Sequence, residues 1–141
     1  MIQSVYEQIV STFNELKGTN QPFVNVYEFM PADVTEFPFV AVLDADNGEQ
    51  VDQSTHLKVL EVNFIAFCLY RQKGTAESRK QIREDLWTVL QKFTEKGVAD
   101  YLNNTAIKVD LKHELVNITE AEQPMTGFAI HFSCKIPMDV L

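Results

Sequence analysis

The stretch LKVLEVNFIAFCLYR, residues 57–71, carries the longest β-strand signal of the chain. Alternate positions from Leu60 to Tyr70 form one largely apolar row, because successive side chains of a strand point to opposite faces. The other row mixes apolar residues with Glu61 and Asn63. The pattern favours a strand with one apolar face and one mixed face.

The segments on either side of this strand complete the order α-β-β-β-α-β-β. Apolar residues spaced three or four apart indicate amphipathic helices, and alternating apolar and polar residues indicate strands. The predicted strands cover residues 23–29, 39–43, 57–71, 106–118 and 127–138. The first predicted helix covers residues 2–17. The second helix is capped by Thr75 or by Ser78, which is spaced from Gln81 as in a capping box, and it ends at Gly97. We therefore expect an α+β fold in one domain, residues 1–141: an antiparallel or mixed sheet of about five strands with both helices packed on its apolar face.

The length of the strand over 57–71 predicts a projecting hairpin. Fifteen residues at ~3.3 Å each span about 50 Å, whereas a compact domain of this size has a diameter of roughly 37 Å. Either a bulge interrupts the strand, or the long β-hairpin over residues 39–71 extends beyond the core. We favour the second interpretation, in which an unpaired edge would invite pairing with a neighbouring chain.

The stretch DADNGEQVDQST, residues 44–55, fits a turn better than a calcium site. Counted from Asp44 as position 1 of a calcium loop, the Gly comes one place early and Thr55 stands where a bidentate Glu is required. The flanking segments are strands rather than helices, and Asp-Asn-Gly is a strong turn sequence. We expect the tip of a hairpin and no bound metal.

Charge is distributed unevenly along the chain. The net charge of −8 predicts a surface that repels nucleic-acid phosphates. Residues 28–55 contain seven acids and no Lys or Arg, whereas residues 71–83 contain five basic residues and one acid. The two segments could pair within a monomer or across a subunit boundary, and the basic one could also be only a solvated helix start. The candidate interface residues are Asp44, Asp46, Glu49 and Asp52 on the acidic side and Arg71, Lys73, Arg79 and Lys80 on the basic side.

Motifs of catalysis or cofactor binding are absent from the sequence. It contains no P-loop, dinucleotide-binding or zinc-protease motif. His131 and Ser133 are neighbours on one strand face, but outward polar positions explain both without the acid and the oxyanion hole that a catalytic triad requires. Cys68 and Cys134 lie in apolar patterns and are expected to be buried free thiols. We expect no enzyme, no cofactor and no metal site, and we expect Trp87 to pack at the edge of the core.

Neither a membrane span nor a secretion signal is expected. No apolar run approaches the roughly 20 residues that cross a bilayer. The first residues, MIQSVYEQIVSTF, have neither a basic start nor a small-residue cleavage site.

The run TEFPFVAVLDADNGEQVDQSTHLKVLEVNFIAF, residues 35–67, resembles the tail-terminator (tail-completion) proteins of long-tailed phages of the lambda type. The shared pattern is an acid-hydrophobe-Pro step, here Glu36, Phe37 and Pro38, then an apolar strand, an acidic hairpin loop and a strand of the L-x-V-x-F kind. The remaining helices and strands also follow the family's order, so the resemblance covers residues 2–138. It is a resemblance of pattern with little residue identity.

The resemblance implies a virion structural protein without catalytic residues. Family members form a hexameric ring at the head-proximal end of the tail tube, which ends tube polymerisation and provides the head-tail joining surface. The implied partners are copies of the same chain, the tail tube protein and the head-connector or neck protein, with DNA passing through the lumen without specific binding. The implied location is the virion tail or neck, after assembly in the host cytoplasm. The acids of residues 44–52 could face that lumen or a neighbouring copy.

Two other functions are compatible with the sequence. One is a head-closure or neck adaptor of the same virion, or another partner-binding domain. The other is a small-ligand-binding α+β domain. That function would require a solvent-reachable cavity of about 300 Å³ or more between the helices and the sheet, lined by convergent polar groups.

Overall fold

A computed structural model describes residues 2–45, 50–52, 58–95, 108–119 and 123–138. The elements in chain order are α1 (Ile2–Asn14), β1 (Asn25–Tyr27), β2 (Phe39–Asp44), β3 (Gln50–Asp52), β4 (Lys58–Arg71), α2 (Ala76–Glu95), β5 (Lys108–Ile118) and β6 (Met125–Met138). Every predicted helix and strand is present, and β3 is an additional strand. The predicted end of the second helix at Gly97 lies outside the described residues.

The six strands form one mixed sheet in the order β1-β2-β4-β6-β5, with β3 on the same side of β4 as β2. β1 runs parallel to β2, and every other pair is antiparallel. The two longest strands, β4 and β6, therefore lie at the centre, while β1 and β5 lie at opposite edges. The predicted α+β fold with a mixed sheet is confirmed.

The hairpin differs from its prediction in two ways. Asp44 lies opposite Phe64 and Gln50 lies opposite Glu61, so pairing resumes within residues 44–55 and the prediction of a single loop there is wrong. On its other side, β4 pairs with β6 over all 14 residues. The structure does not confirm that the hairpin projects, because β6 accompanies β4 along its whole length.

The main core lies on the face of the sheet that both helices cover. The helices bury Val5, Ile9 and Phe13 from α1 and Ile82, Val89 and Phe93 from α2. Three rings join the two layers: Phe93 lies 5.3 Å from Phe13 and 5.1 Å from Phe132 of β6, measured between ring centroids. Burying each such side chain stabilises the fold by about 1.5–3 kcal/mol. The prediction that both helices pack on one apolar face is confirmed.

A smaller apolar cluster covers part of the opposite face. Phe39, Ala41 and Leu69 are buried there. Val34 and Phe37, from the connection between β1 and β2, pack against them. The long connection therefore covers one end of this face, whereas polar side chains occupy the other part.

Gly127 allows the two central strands to approach closely. A Cβ atom at this position would overlap the backbone carbonyl oxygen of Cys68 and lie 3.2 Å from Cδ1 of Tyr70. Since backbone atoms cannot move aside as a flexible side chain can, β6 requires glycine at this point.

Cys68 and Cys134 are buried and free, as predicted. Burial raises the pKa of the Cys134 thiol to about 12 and that of Cys68 well above its usual value. Both thiols therefore stay protonated near neutral pH, which makes them poor nucleophiles.

Trp87 does not pack at the edge of the core, so that prediction is wrong. Its side chain is 64% exposed. Trp87 follows the buried Ile82 by five residues, which at about 100° per residue turns its side chain away from the sheet.

In the part of the chain that the structure describes, no helix is long and apolar enough to cross a membrane.

Candidate interaction surface

The four predicted basic residues lie around the turn from β4 to α2. Arg71 is the last residue of β4, Lys73 lies in the turn, and Arg79 and Lys80 lie in the first two turns of α2. All four are exposed. Gly74 occupies the left-handed region at φ 64°, which glycine adopts at little cost. The four residues therefore lie close to one turn of the chain, and we call them the basic cluster; Arg71 and Lys73 line one cleft, whereas Arg79 lines another.

The cap of α2 lies within this surface. The backbone N–H of Ser78 donates to Oγ1 of Thr75 at 3.1 Å, and Oγ of Ser78 donates to the carbonyl oxygen of Thr75 at 2.9 Å. Thr75 is therefore the N-cap residue. The predicted capping box of Ser78 and Gln81 is wrong, because Gln81 donates to Asp85 instead. The positive end of the helix dipole adds to the charge of the basic cluster.

A cleft of about 350 Å³ opens beside the basic cluster, between the start of α2 and the residues that precede β2. Arg71, Lys73, Tyr70 and Phe37 contribute to its lining. The guanidinium of Arg71 lies 5.3 Å from the centroid of the Phe37 ring, within cation–π range. The cleft combines positive charge with aromatic surface.

A buried hydrogen-bond network supports one wall of the cleft. The hydroxyl of Tyr70 donates to Oδ2 of Asp85 at 2.7 Å, and Nε2 of Gln81 donates to Oδ1 at 2.9 Å. Burial raises the pKa of Asp85, although both hydrogen bonds oppose that shift. Burial, with the bond to Asp85, raises the pKa of Tyr70 far above its usual value. The network therefore positions Tyr70 against α2.

Of the four predicted acidic residues, only Asp44 has a described side chain. It is exposed at the end of β2. Asp52 lies in β3, with only its backbone described, and Asp46 and Glu49 lie outside the described residues, as does most of the rejected calcium loop. Burial raises the pKa of Tyr6 to about 12, with smaller contributions from Glu28 and Asp44. These two acids therefore form part of one negative region beside α1.

The structure keeps Asp44 apart from the basic cluster. Asp44 lies opposite Phe64 of β4, seven residues before Arg71 along the same strand. Seven residues of strand span about 23 Å, well beyond the ~8 Å screening length at physiological salt. Among the described residues, no ion pair joins the acidic and basic segments; Lys80 instead lies 3.9 Å from Glu84 of its own helix.

Sequence reasoning missed a row of polar pairs on the uncovered face of the sheet. Nε2 of His131 in β6 lies 2.8 Å from Oε1 of Glu114 in the neighbouring strand β5. The hydroxyl of Ser133 in β6 donates to Oε1 of Glu61 in β4 at 2.8 Å. His131 and Ser133 thus each contact a separate acid, which is not the serine–histidine–acid relay of a triad. Only the strand register could have revealed these pairs, because their members are 17 and 72 residues apart.

The described residues include no group of three or more His, Cys, Asp or Glu side chains arranged to hold a metal ion.

Comparison with known proteins gives no further guide: no protein-family model matches the chain, and no curated protein matches it.

Proposed function

We propose that this protein is a virion structural protein that forms a ring at the head-proximal end of a phage tail tube. The ring, hexameric in the family that the sequence resembles, ends polymerisation of the tube and provides the head-tail joining surface. Its partners are the tail tube protein and a head-connector or neck protein, and DNA passes through its lumen without specific binding. This function needs no chemical reaction.

The observation that carries the proposal is the separation of Asp44 from the basic cluster within one chain. Asp44 and Arg71 are about 23 Å apart along the strands, so they cannot satisfy one another inside a monomer. In two neighbouring copies, the surface around Asp44 of one copy could pair with the basic cluster of the other. Such a contact joins two different surfaces and is therefore head-to-tail, which closes into a ring when the rotation between neighbours permits.

The oligomeric state tests the proposal. Size-exclusion chromatography with light scattering should give a single closed oligomer, and negative-stain images should show rings. Replacing Arg79 and Lys80 by Glu should weaken assembly while the far-UV circular dichroism stays unchanged, and added salt should act in the same direction. A protein that is monomeric at every concentration and salt would contradict the proposal.

Binding to the tail tube separates the terminator from the neck adaptor. Purified rings added to a polymerising tail tube protein should shorten its tubes and appear at one end of them. Rings that bind a connector protein but leave the tube length unchanged would favour the head-closure or neck adaptor.

The cleft beside the basic cluster favours a second candidate, a small-ligand-binding domain. Its volume of about 350 Å³ lies within the range of ligand pockets. It lies at the start of α2, however, whereas the space between the helices and the sheet contains the apolar core. Titration with citrate, followed by thermal unfolding, tests this candidate: stabilisation that is lost in a Lys73→Ala variant would support it.

A further inference from the structure

The β1 edge of the sheet exposes an acid followed by two large apolar side chains. Glu28, Phe29 and Met30 come directly after β1, and all three are exposed. The Phe29 side chain is 62% exposed, and its ring lies 5.7 Å from that of Tyr27, measured between centroids. These side chains offer a neighbouring chain exposed apolar area next to a negative charge.

The opposite edge contains a groove of about 340 Å³ between the first half of α2 and the strands β5 and β6. Its lining includes Arg79, Ile82 and Arg83 from α2 and Leu115 from β5. Leu115 lies on the helix-covered face, since it pairs with the buried Phe128, yet 77% of its surface is exposed. The cause is that α2 packs over β6 and leaves this part of the edge strand uncovered.

The two surfaces are complementary in charge and in polarity. The charged residues described in the lining of the groove are both arginines. The segment after β1 is acidic, with Glu28, Asp33 and Glu36 and no Lys or Arg between residues 28 and 36. Each surface also offers exposed apolar area, Phe29 on one side and Leu115 on the other. A second copy of this chain can therefore supply both the negative charge and the apolar side chain that complement the groove.

We infer that residues 28–30 of one copy dock into the groove between α2 and β5 of the next copy. Phe29 covers Leu115, and Glu28 pairs with Arg79 or Arg83. The contact joins opposite edges of the sheet and is head-to-tail, as a ring requires. This inference rests on the proposed ring and adds the surfaces by which its subunits meet.

Disulfide trapping tests the contact directly. Within one chain, β1 and β5 are separated by three strands, a distance of about 19 Å at ~4.8 Å per strand, whereas a disulfide needs Cα atoms within ~7 Å. A bond between Phe29→Cys and Leu115→Cys can therefore form only between copies. The native cysteines are buried and should not compete.

The two single variants are mixed, oxidised mildly and analysed by intact mass. The mixed dimer should exceed either homodimer by about tenfold, since a head-to-tail contact never places two copies of residue 29 together. The matched control replaces Leu115→Cys by Trp87→Cys, a side chain that is also well exposed but lies outside the groove. Mixed dimers that are no more abundant than in this control would overturn the inference.

Charge reversal supplies a second measurement. Arg79→Glu with Arg83→Glu should raise the protein concentration at half-assembly by about tenfold or more, because attraction becomes repulsion. Adding Glu28→Lys should recover most of that loss. Lys17→Glu with Lys112→Glu is the matched control, since both side chains are exposed and neither belongs to the basic cluster or lines the groove.

The outcomes separate this inference from the proposed function. If the unmodified protein forms rings but neither the cross-link nor the charge reversal behaves as expected, the docking contact is wrong and the ring proposal stands. If the unmodified protein does not assemble at any concentration, both are rejected.

Discussion

The two faces of the sheet differ in what they do, although the same strands supply both. On the face that the helices cover, β4 and β6 place Phe64 opposite Phe132, and both are almost fully buried. On the other face the same strands place Asn63 opposite Ser133 and Ile65 opposite His131. Apolar burial stabilises the first face, whereas exposed polar pairs contribute little. The helix-covered face therefore contributes more to stability than the polar part of the opposite face.

The largest expected effect uses one isoleucine from each face. Ile130 is fully buried beneath the helices, and Ile65 is only partly buried on the other face. Ile130→Ala should lower the free energy of unfolding by about 2–5 kcal/mol, because it removes transfer energy and leaves a cavity. Ile65→Ala should lower the free energy of unfolding by less than half of that amount. Urea unfolding of both variants measures the difference, and equal losses would show that the two faces contribute alike.

A smaller effect should appear in the pH dependence of stability. Burial on the helix-covered face raises the pKa of Asp85 above the value of 3.8 for a free side chain. The native carboxyl therefore holds its proton more tightly than the unfolded one, so the native state loses stability as the pH rises from 3.8 through the raised pKa. Below pH 3.8 this loss is absent.

The measurement compares urea midpoints of the unmodified protein and of Asp85→Asn from pH 3.5 to 7. The asparagine variant should gain stability relative to the unmodified protein as the pH rises, since it cannot ionise. Gln91→Ala, an exposed residue of the same helix that carries no titratable group, is the control for the substitution itself. A stability difference for Asp85→Asn that is independent of pH would contradict the assignment.

The smallest expected effect concerns the polar face. His131 and Glu114 are 2.8 Å apart, but their side chains are 39% and 56% exposed. A double-mutant cycle with alanine at both positions should give a coupling of about 0.2–1 kcal/mol. A coupling well above 2 kcal/mol would indicate that this face stabilises the fold after all.

Much of the fold follows from local patterns in the sequence. The alternation in residues 57–71 and 127–138 predicted the two central strands, and apolar spacing predicted both helices. β3 was missed because Gln50–Asp52 contains a single apolar residue, Val51, which gives no periodic signal. Trp87 was misplaced because the hydrophobicity of a residue does not tell which side of a helix it occupies. The angle between Trp87 and Ile82 around the helix axis gives that side.

The candidate surface was predictable only in part. The basic cluster could be found because its members are close in sequence, around one turn. The contact of Tyr70 with Asp85, and the groove that joins Leu115 to Arg79, combine residues from separate elements. No spacing along the chain encodes such contacts.

The sequence by itself determined the elements other than β3, the burial of Phe64 and Phe132, and the division of the chain into an acidic and a basic segment. These depend on periodicity and composition, which are local properties. The tertiary structure alone decided that Asp44 lies far from Arg71, that β1 and β5 form opposite edges, and that α2 leaves Leu115 uncovered. The physical reason is that strand order and register set the distances between segments, and many orders are compatible with the same alternation of apolar and polar residues.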